Sequence, residues 1–114
     1  MVSKWELYFC NLDPTQGSVQ RGTRPVLIIS TDSVNHHLAV STVLPLSSVK
    51  ENEKIYPTEI LLPPEITGLP KLSVAMIQQI RTISHGRLVN KVGVITEEAT
   101  REKILEACRN YFDL

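Results

Sequence analysis

The run Val26-Leu27-Ile28-Ile29 is apolar at every position and directly follows a proline. A strand with one face in water alternates polar and apolar residues, so an unbroken apolar run describes a strand covered on both faces. Pro25 would stand at its first position, where a missing N–H is harmless. Residues 25–30 are therefore predicted to form a central strand.

The other runs are short and punctuated. Residues 5–12 are aromatic-rich and end at Asp13-Pro14, a turn-starting pair, which predicts a first strand. Residues 31–37 are expected to form a turn or a single helical turn capped by Thr31 or Asp32. In residues 38–46, Leu38, Val40, Thr42, Leu44 and Leu46 point one way and Ala39, Ser41, Val43 and Pro45 the other, the pattern of a half-buried strand. Another strand is expected over residues 56–62, stopped by Pro63-Pro64, and one long or bent strand over residues 72–83. Only the C-terminus predicts a full helix. Thr96 is its expected N-cap, Glu97 and Glu98 suit the positive end of the helix dipole, and Ile104, Leu105, Cys108, Tyr111 and Phe112 form an apolar stripe expected to pack on the sheet. Five or six short strands followed by one helix predict a mainly β fold, a small and partly open barrel with a helical cover. The 114 residues fit a single domain, 1–114, with no repeat or linker-like run.

Twelve Lys and Arg balance twelve Asp and Glu, which argues against a protein that grips nucleic acid through bulk positive charge. The distribution is uneven: Lys71, Arg81, Arg87 and Lys91 occur between residues 71 and 95 with no carboxylate among them. A polyanion could thus be bound locally. Cys10 and Cys108 show neither metal nor disulfide spacing and are expected to be small buried hydrophobes in a reduced compartment. No apolar run approaches the roughly 20 residues needed to cross a bilayer, and the first residues lack a signal-peptide layout, so a soluble, cytoplasmic protein is expected.

His36 and His37 in a polar turn and His85 in Ser84-His85-Gly86-Arg87 have no carboxylate or nucleophile at a telling spacing. Metal, nucleotide-cofactor and hydrolase-triad motifs are lacking, so no metal and no cofactor is expected. What remains is the loop before Arg24, far longer than the two to five or so residues common in hairpins. Arg24 precedes a proline, which restricts its backbone to extended conformations and launches its side chain from a fixed base. A guanidinium presents a planar fork of donors that matches phosphate oxygens. Ser47 ends the strand predicted over residues 38–46 and adds a hydroxyl. An Arg and a hydroxyl at neighbouring strand ends, bordered by a glycine-containing loop, would suit a phosphodiester.

Several segments strongly resemble the MazF/PemK/Kid toxin family: Asp13-Pro14-Thr15-Gln16-Gly17-Ser18, Arg24-Pro25, Ile29-Ser30, Pro45-Leu46-Ser47-Ser48 and Gln79-Ile80-Arg81-Thr82. The segments span nearly the whole chain in the family's order. The resemblance implies an SH3-like, PemK-like barrel of about five to seven strands and a homodimer. Exposed positions of residues 72–80 and of the terminal helix are natural dimer surfaces and equally good core. It also implies a metal-free endoribonuclease cutting single-stranded mRNA at a short sequence, with a cognate antitoxin whose extended, acidic segment fills the RNA groove. By position, Arg24 matches the family's catalytic arginine and Ser47 its catalytic threonine. RNA contacts are expected from Thr15, Gln16, Gly17, Ser18, Gln20, Arg21 and Thr23 in the first loop, from the loop Ser47 to Tyr56, with Ser48 and with Lys50 and Lys54 as phosphate contacts, and from Gln79. Two departures stand out: Ser47 where the family has Thr, and Val19 where it often has Glu. The implied reaction is attack of a 2′-OH on the adjacent phosphorus, leaving a 2′,3′-cyclic phosphate and a 5′-OH. A guanidinium is a poor proton acceptor near neutrality, so Arg24 is expected to stabilise charge on the phosphorane and Ser47 to orient a non-bridging oxygen. Alternatives are a CcdB-like toxin that binds DNA gyrase without cleaving anything, and a nuclease-inactive barrel that only binds RNA or protein.

Overall fold

The computed structural model describes residues 1–14, 17, 22–50 and 52–114. Among them lie seven strands: β1 (Glu6–Asn11), β2 (Thr23–Ile28), β3 (Val40–Ser48), β4 (Glu59–Leu62), β5 (Ser73–Met76), β6 (Arg81–Ser84) and β7 (Leu88–Val94). They form one antiparallel sheet in the order β4-β5-β3-β2-β1-β7, with β6 on β3 as well. Three helices accompany it: α1 (Asp32–Asn35), α2 (Pro64–Thr67) and α3 (Glu98–Phe112). The fold is mainly β with a C-terminal helix, as the sequence predicted.

The strand predicted from the apolar run is central, but it runs from Thr23 to Ile28, so Pro25 is its third residue, opposite Phe9, rather than its first. Leu27 points into one core cluster, with Leu7, Leu44, Leu46, Ala75, Ile77, Ile95 and Ile104, while Val26 and Ile28 point into a second, with Cys10, Leu12, Val43 and Ile83. Burying aliphatic side chains on both faces contributes about 1.5–3 kcal/mol for each one fully removed from water, so this strand anchors both layers.

Four other details differ from expectation. β3 is not half-buried: Val43, Leu44, Pro45 and Leu46 are all buried, because the second cluster covers the face that alternation alone would leave wet. Leu38, expected on its inner face, is exposed and precedes the strand. Residues 72–83 form two strands rather than one, because a 3-10 turn at Ile77–Gln79 lets β5 and β6 pair with successive stretches of the same β3 edge. At the terminal helix Glu97, not Thr96, holds the N-cap position, and the stripe packs only in part. Ile104 is buried with Leu105, Ala107 and Cys108 against it, but Tyr111 and Phe112 run past the sheet and stay exposed.

Two elements had no counterpart in the sequence reading. β7 pairs with β1, and α2 packs against β7 through Gly93, where an added Cβ would sit 2.7 Å from the Thr67 carbonyl oxygen. Only glycine permits that approach. Among the described residues, no helix is long and apolar enough to cross a membrane.

Candidate functional site

Arg24 lies inside the β1–β2 ladder, opposite Cys10, and so leaves a backbone paired on that edge. The β2–β3 ladder ends at Val26 opposite Pro45. Continued by two places, that register sets Arg24 across from Ser47. Both fall on the sheet face of Val26 and Val43, since side chains two apart share a face. The expected juxtaposition is realised: Arg24 and Ser47 line one cavity of about 210 Å³ with Phe9, Thr23, Pro25, Leu46, Ser48, Leu69, Pro70, Lys71 and Ser73. Among the described residues, the lining holds two cations, four hydroxyls and no carboxylate.

A second cavity, of about 310 Å³, begins at the same Ser47 and Ser48 and continues past Glu53, Lys54, Ile55, Tyr56, Glu59, Val74 and Met76. Its wall is held by reciprocal hydrogen bonds. The Lys50 N–H donates to Glu53 Oε2 at 3.1 Å, and the Glu53 N–H donates back to the Lys50 carbonyl at 3.1 Å. The Tyr56 N–H donates to Glu59 Oε1 at 3.0 Å, and Gln78 Nε2 to Glu59 Oε2 at 3.1 Å. Lys54 Nζ stands 5.3 Å from the centre of the Tyr56 ring, a cation–π distance. The Tyr56 side chain itself is exposed.

The base of the long loop is held on both sides. The Leu12 N–H donates to the Gly22 carbonyl at 2.9 Å, and the Gly22 N–H donates to Asp13 Oδ1 at 2.9 Å. Gly22 has φ of +78°, a conformation that favours glycine. From below, the Arg81 guanidinium donates to the Leu12 carbonyl at 3.2 Å, and that of Arg87 to the carbonyls of Asn11 and Asp13. Two cations of the carboxylate-free stretch therefore fix the loop's root.

Of the remaining predicted residues, Thr23 and Ser48 line the first cavity and Lys54 the second. Lys50 is exposed at the end of β3, and Gln79 is half-buried in the 3-10 turn; neither borders these two cavities. Gly17 is exposed with φ of +63°. Thr15, Gln16, Ser18, Val19, Gln20 and Arg21 lie outside the described residues. Glu53 and Tyr56 belong to the loop 47–56 from which RNA contacts were expected, and Lys71 to the basic stretch expected to bind a polyanion; sequence reasoning did not single out Phe9, Glu59 or Ser73.

Other reactive groups are occupied elsewhere. The Ser41 hydroxyl donates to Asn35 Oδ1 at 2.7 Å and lies 2.8 Å from His85 Nε2, which must then donate to it. This buried network ties α1 to β3 and to the turn after β6, and gives His85 a structural role. Burial pushes the Cys10 thiol up while nearby Arg81 and Arg87 pull it down, and burial likewise raises Cys108. Neither is poised as a thiolate nucleophile. Among the described residues, no group of three or more His, Cys, Asp or Glu side chains is placed to hold a metal ion.

The molecule is thus a small antiparallel sheet with a basic, hydroxyl-lined cavity where β2 starts and β3 ends. Residues 3–112 match the family described as PemK-like, MazF-like toxin of type II toxin-antitoxin system. The chain belongs to that family. It is 33% identical over 107 residues to "Endoribonuclease EndoA" of Bacillus subtilis (strain 168), covering 94% of this chain and 90% of that protein. The solved structure "Mycobacterium tuberculosis toxin MazF-mt6" superposes with a TM-score of 0.77 at 27% identity, covering 96% of this chain and 97% of that one. A mycobacterial "Endoribonuclease in complex with its cognate antitoxin" shares the fold, with a TM-score of 0.80 at 24% identity, covering 100% of this chain and 97% of that one.

Proposed function

We propose that this protein is a cytoplasmic endoribonuclease toxin that cuts single-stranded mRNA at a short sequence and is neutralised by a cognate antitoxin. The observation that carries the reading is Arg24 and Ser47 facing one cavity from neighbouring strand ends, with no carboxylate among its described lining residues. Such a lining accepts a phosphodiester and would repel a carboxylate least, which also fits the acidic segment of an antitoxin. Membership of a family of type II toxins and the relative named an endoribonuclease support the same assignment.

In the proposed reaction the substrate's own 2′-oxygen bonds to the adjacent phosphorus as the P–O5′ bond breaks. The 2′-hydroxyl proton leaves to solvent and the departing 5′-oxygen takes up a proton. The products are a 2′,3′-cyclic phosphate and a 5′-OH. Because the nucleophile is intramolecular, the step needs no metal-bound water. Arg24 stabilises the charge that builds on the phosphorane oxygens, and Ser47 donates a hydrogen bond that orients one of them. The protein acts as a homodimer: Leu61 on β4 and Tyr111 and Phe112 on α3, which packs against β4, are large apolar side chains left exposed.

The test is to map the 5′ ends of RNA fragments after incubation with purified protein, with and without chelator. Chelator-resistant cuts at a recurring sequence, leaving 5′-OH ends, are expected. Arg24→Ala should fold with an unchanged melting temperature, since Arg24 is exposed, and lose roughly 10²- to 10³-fold in cleavage rate. Unaltered cleavage by that variant would remove Arg24 from the mechanism.

A further inference from the structure

Lys71 stands on the segment between α2 and β5, with its position fixed by the backbone around it. Pro70 precedes it, the Ser73 hydroxyl donates to its carbonyl at 3.2 Å, and the Val49 N–H donates to the next carbonyl, that of Leu72, at 2.9 Å. Lys71 lines the Arg24–Ser47 cavity, and among the described residues no carboxylate shares that lining. The salt bridges among the described residues do not include Lys71. The β3–β5 ladder pairs Ser48 with Ser73, which brings the segment just before β5 to the end of β3 where Ser47 and Ser48 stand. Arg24 approaches β3 from its β2 edge and Lys71 from its β5 edge, with Ser47 and Ser48 between them.

We infer that Lys71 is a second phosphate-binding residue, which holds the phosphate next to the scissile one and so sets the path of the RNA strand across β3. This rests on the nuclease reading above and extends it. The cavity takes two consecutive phosphates, one on Arg24 and one on Lys71. Lys71 contributes a point charge rather than a bidentate fork, so it anchors the strand without entering the reaction.

The experiment measures binding of a single-stranded RNA made uncleavable by 2′-deoxy substitution at the mapped cut site, over a series of salt concentrations. Lys71→Gln should weaken binding several-fold and flatten the slope of log K against log salt by about 0.7, the value for one phosphate contact on a single strand. Lys71→Arg should restore both, kcat on the cleavable RNA should hold, and Lys103→Gln on α3 should leave binding unchanged. Replacing one of the two phosphates flanking the cut site by a neutral methylphosphonate should abolish the difference between wild type and Lys71→Gln. The inference is overturned if Lys71→Gln keeps the wild-type slope, if its penalty persists with either neutral linkage, or if it weakens only a polyglutamate peptide. A wild-type protein that cuts RNA while Lys71→Gln binds normally sinks this inference and spares the nuclease reading. A wild-type protein that binds no RNA sinks both.

Discussion

The two cavities that meet at Ser47 and Ser48 have opposite electrostatics. Among the described residues, the one toward β2 carries Arg24 and Lys71 with no carboxylate, whereas the one toward β4 carries Glu53 and Glu59 with Lys54. A phosphate suits the first and is repelled by the second. The second offers the Tyr56 ring as a flat surface and carboxylates as acceptors, which suits a base with amino or imino donors. On the proposed reading, charge divides one trough into a part for the RNA backbone and a part for a base, although the chain's formal charge is zero. The lesson is that net charge says little about a groove whose residues arrive from four different strand ends.

The division can be broken at several points. The loss of cleavage expected for Arg24→Ala is the largest effect. Ser47→Ala removes one hydrogen bond to a charged oxygen, worth about 1.5–3 kcal/mol, and should slow cleavage without changing the cut sites, while Ser47→Thr should keep activity. Changed cut sites in Ser47→Ala would assign the serine to base reading instead. In the other cavity, Tyr56→Ala should cost about 1–3 kcal/mol of RNA binding, the range for one stacked base, and leave kcat near wild type. A matching loss in kcat would place Tyr56 with the chemistry and erase the distinction.

The smallest effect serves as a control outside both cavities. Glu6 is buried, which raises its carboxyl, but hydrogen bonds from Lys91, the Ser3 N–H and Tyr8 outweigh burial and leave it below its ordinary 4.5. Lys91 Nζ lies 2.6 Å from Glu6 Oε2, joining β7 to β1. A carboxyl lowered in the fold stabilises above its unfolded value and loses that contribution as pH falls through the folded one. Glu6→Gln should therefore melt earlier than wild type at pH 7, by about 1 kcal/mol, with the gap closing below pH 4.5 and cleavage intact. A constant gap from pH 7 to pH 3 would show that the carboxylate charge contributes nothing.

Much of this was legible beforehand, and the misses share a cause. The apolar run at residues 26–29 announced a two-sided core, and the periodicity of residues 98–112 announced a helix. Arg24 and Ser47 were legible as strand ends, and their neighbouring positions in the sheet met on one cavity. β7 escaped because Leu88-Val89-Asn90-Lys91-Val92-Gly93-Val94 mixes polar and apolar residues without clean alternation, and its pairing with β1 has register shifts. Lys71 was legible only as one cation of a basic stretch and Glu59 only as part of a strand, because nothing in either local sequence says which segments meet at the cavities.

Short-range physics alone specified the element types, the central strand and the arginine held by its following proline, because these depend on neighbours within a turn or two of chain. Only the tertiary structure decided that β5 and β6 share one edge of β3, that Tyr111 and Phe112 stay uncovered, and that Lys71 joins Arg24 across Ser47 and Ser48. Those outcomes depend on which strands lie side by side, and pairing between residues far apart in sequence leaves no mark on the residues nearby.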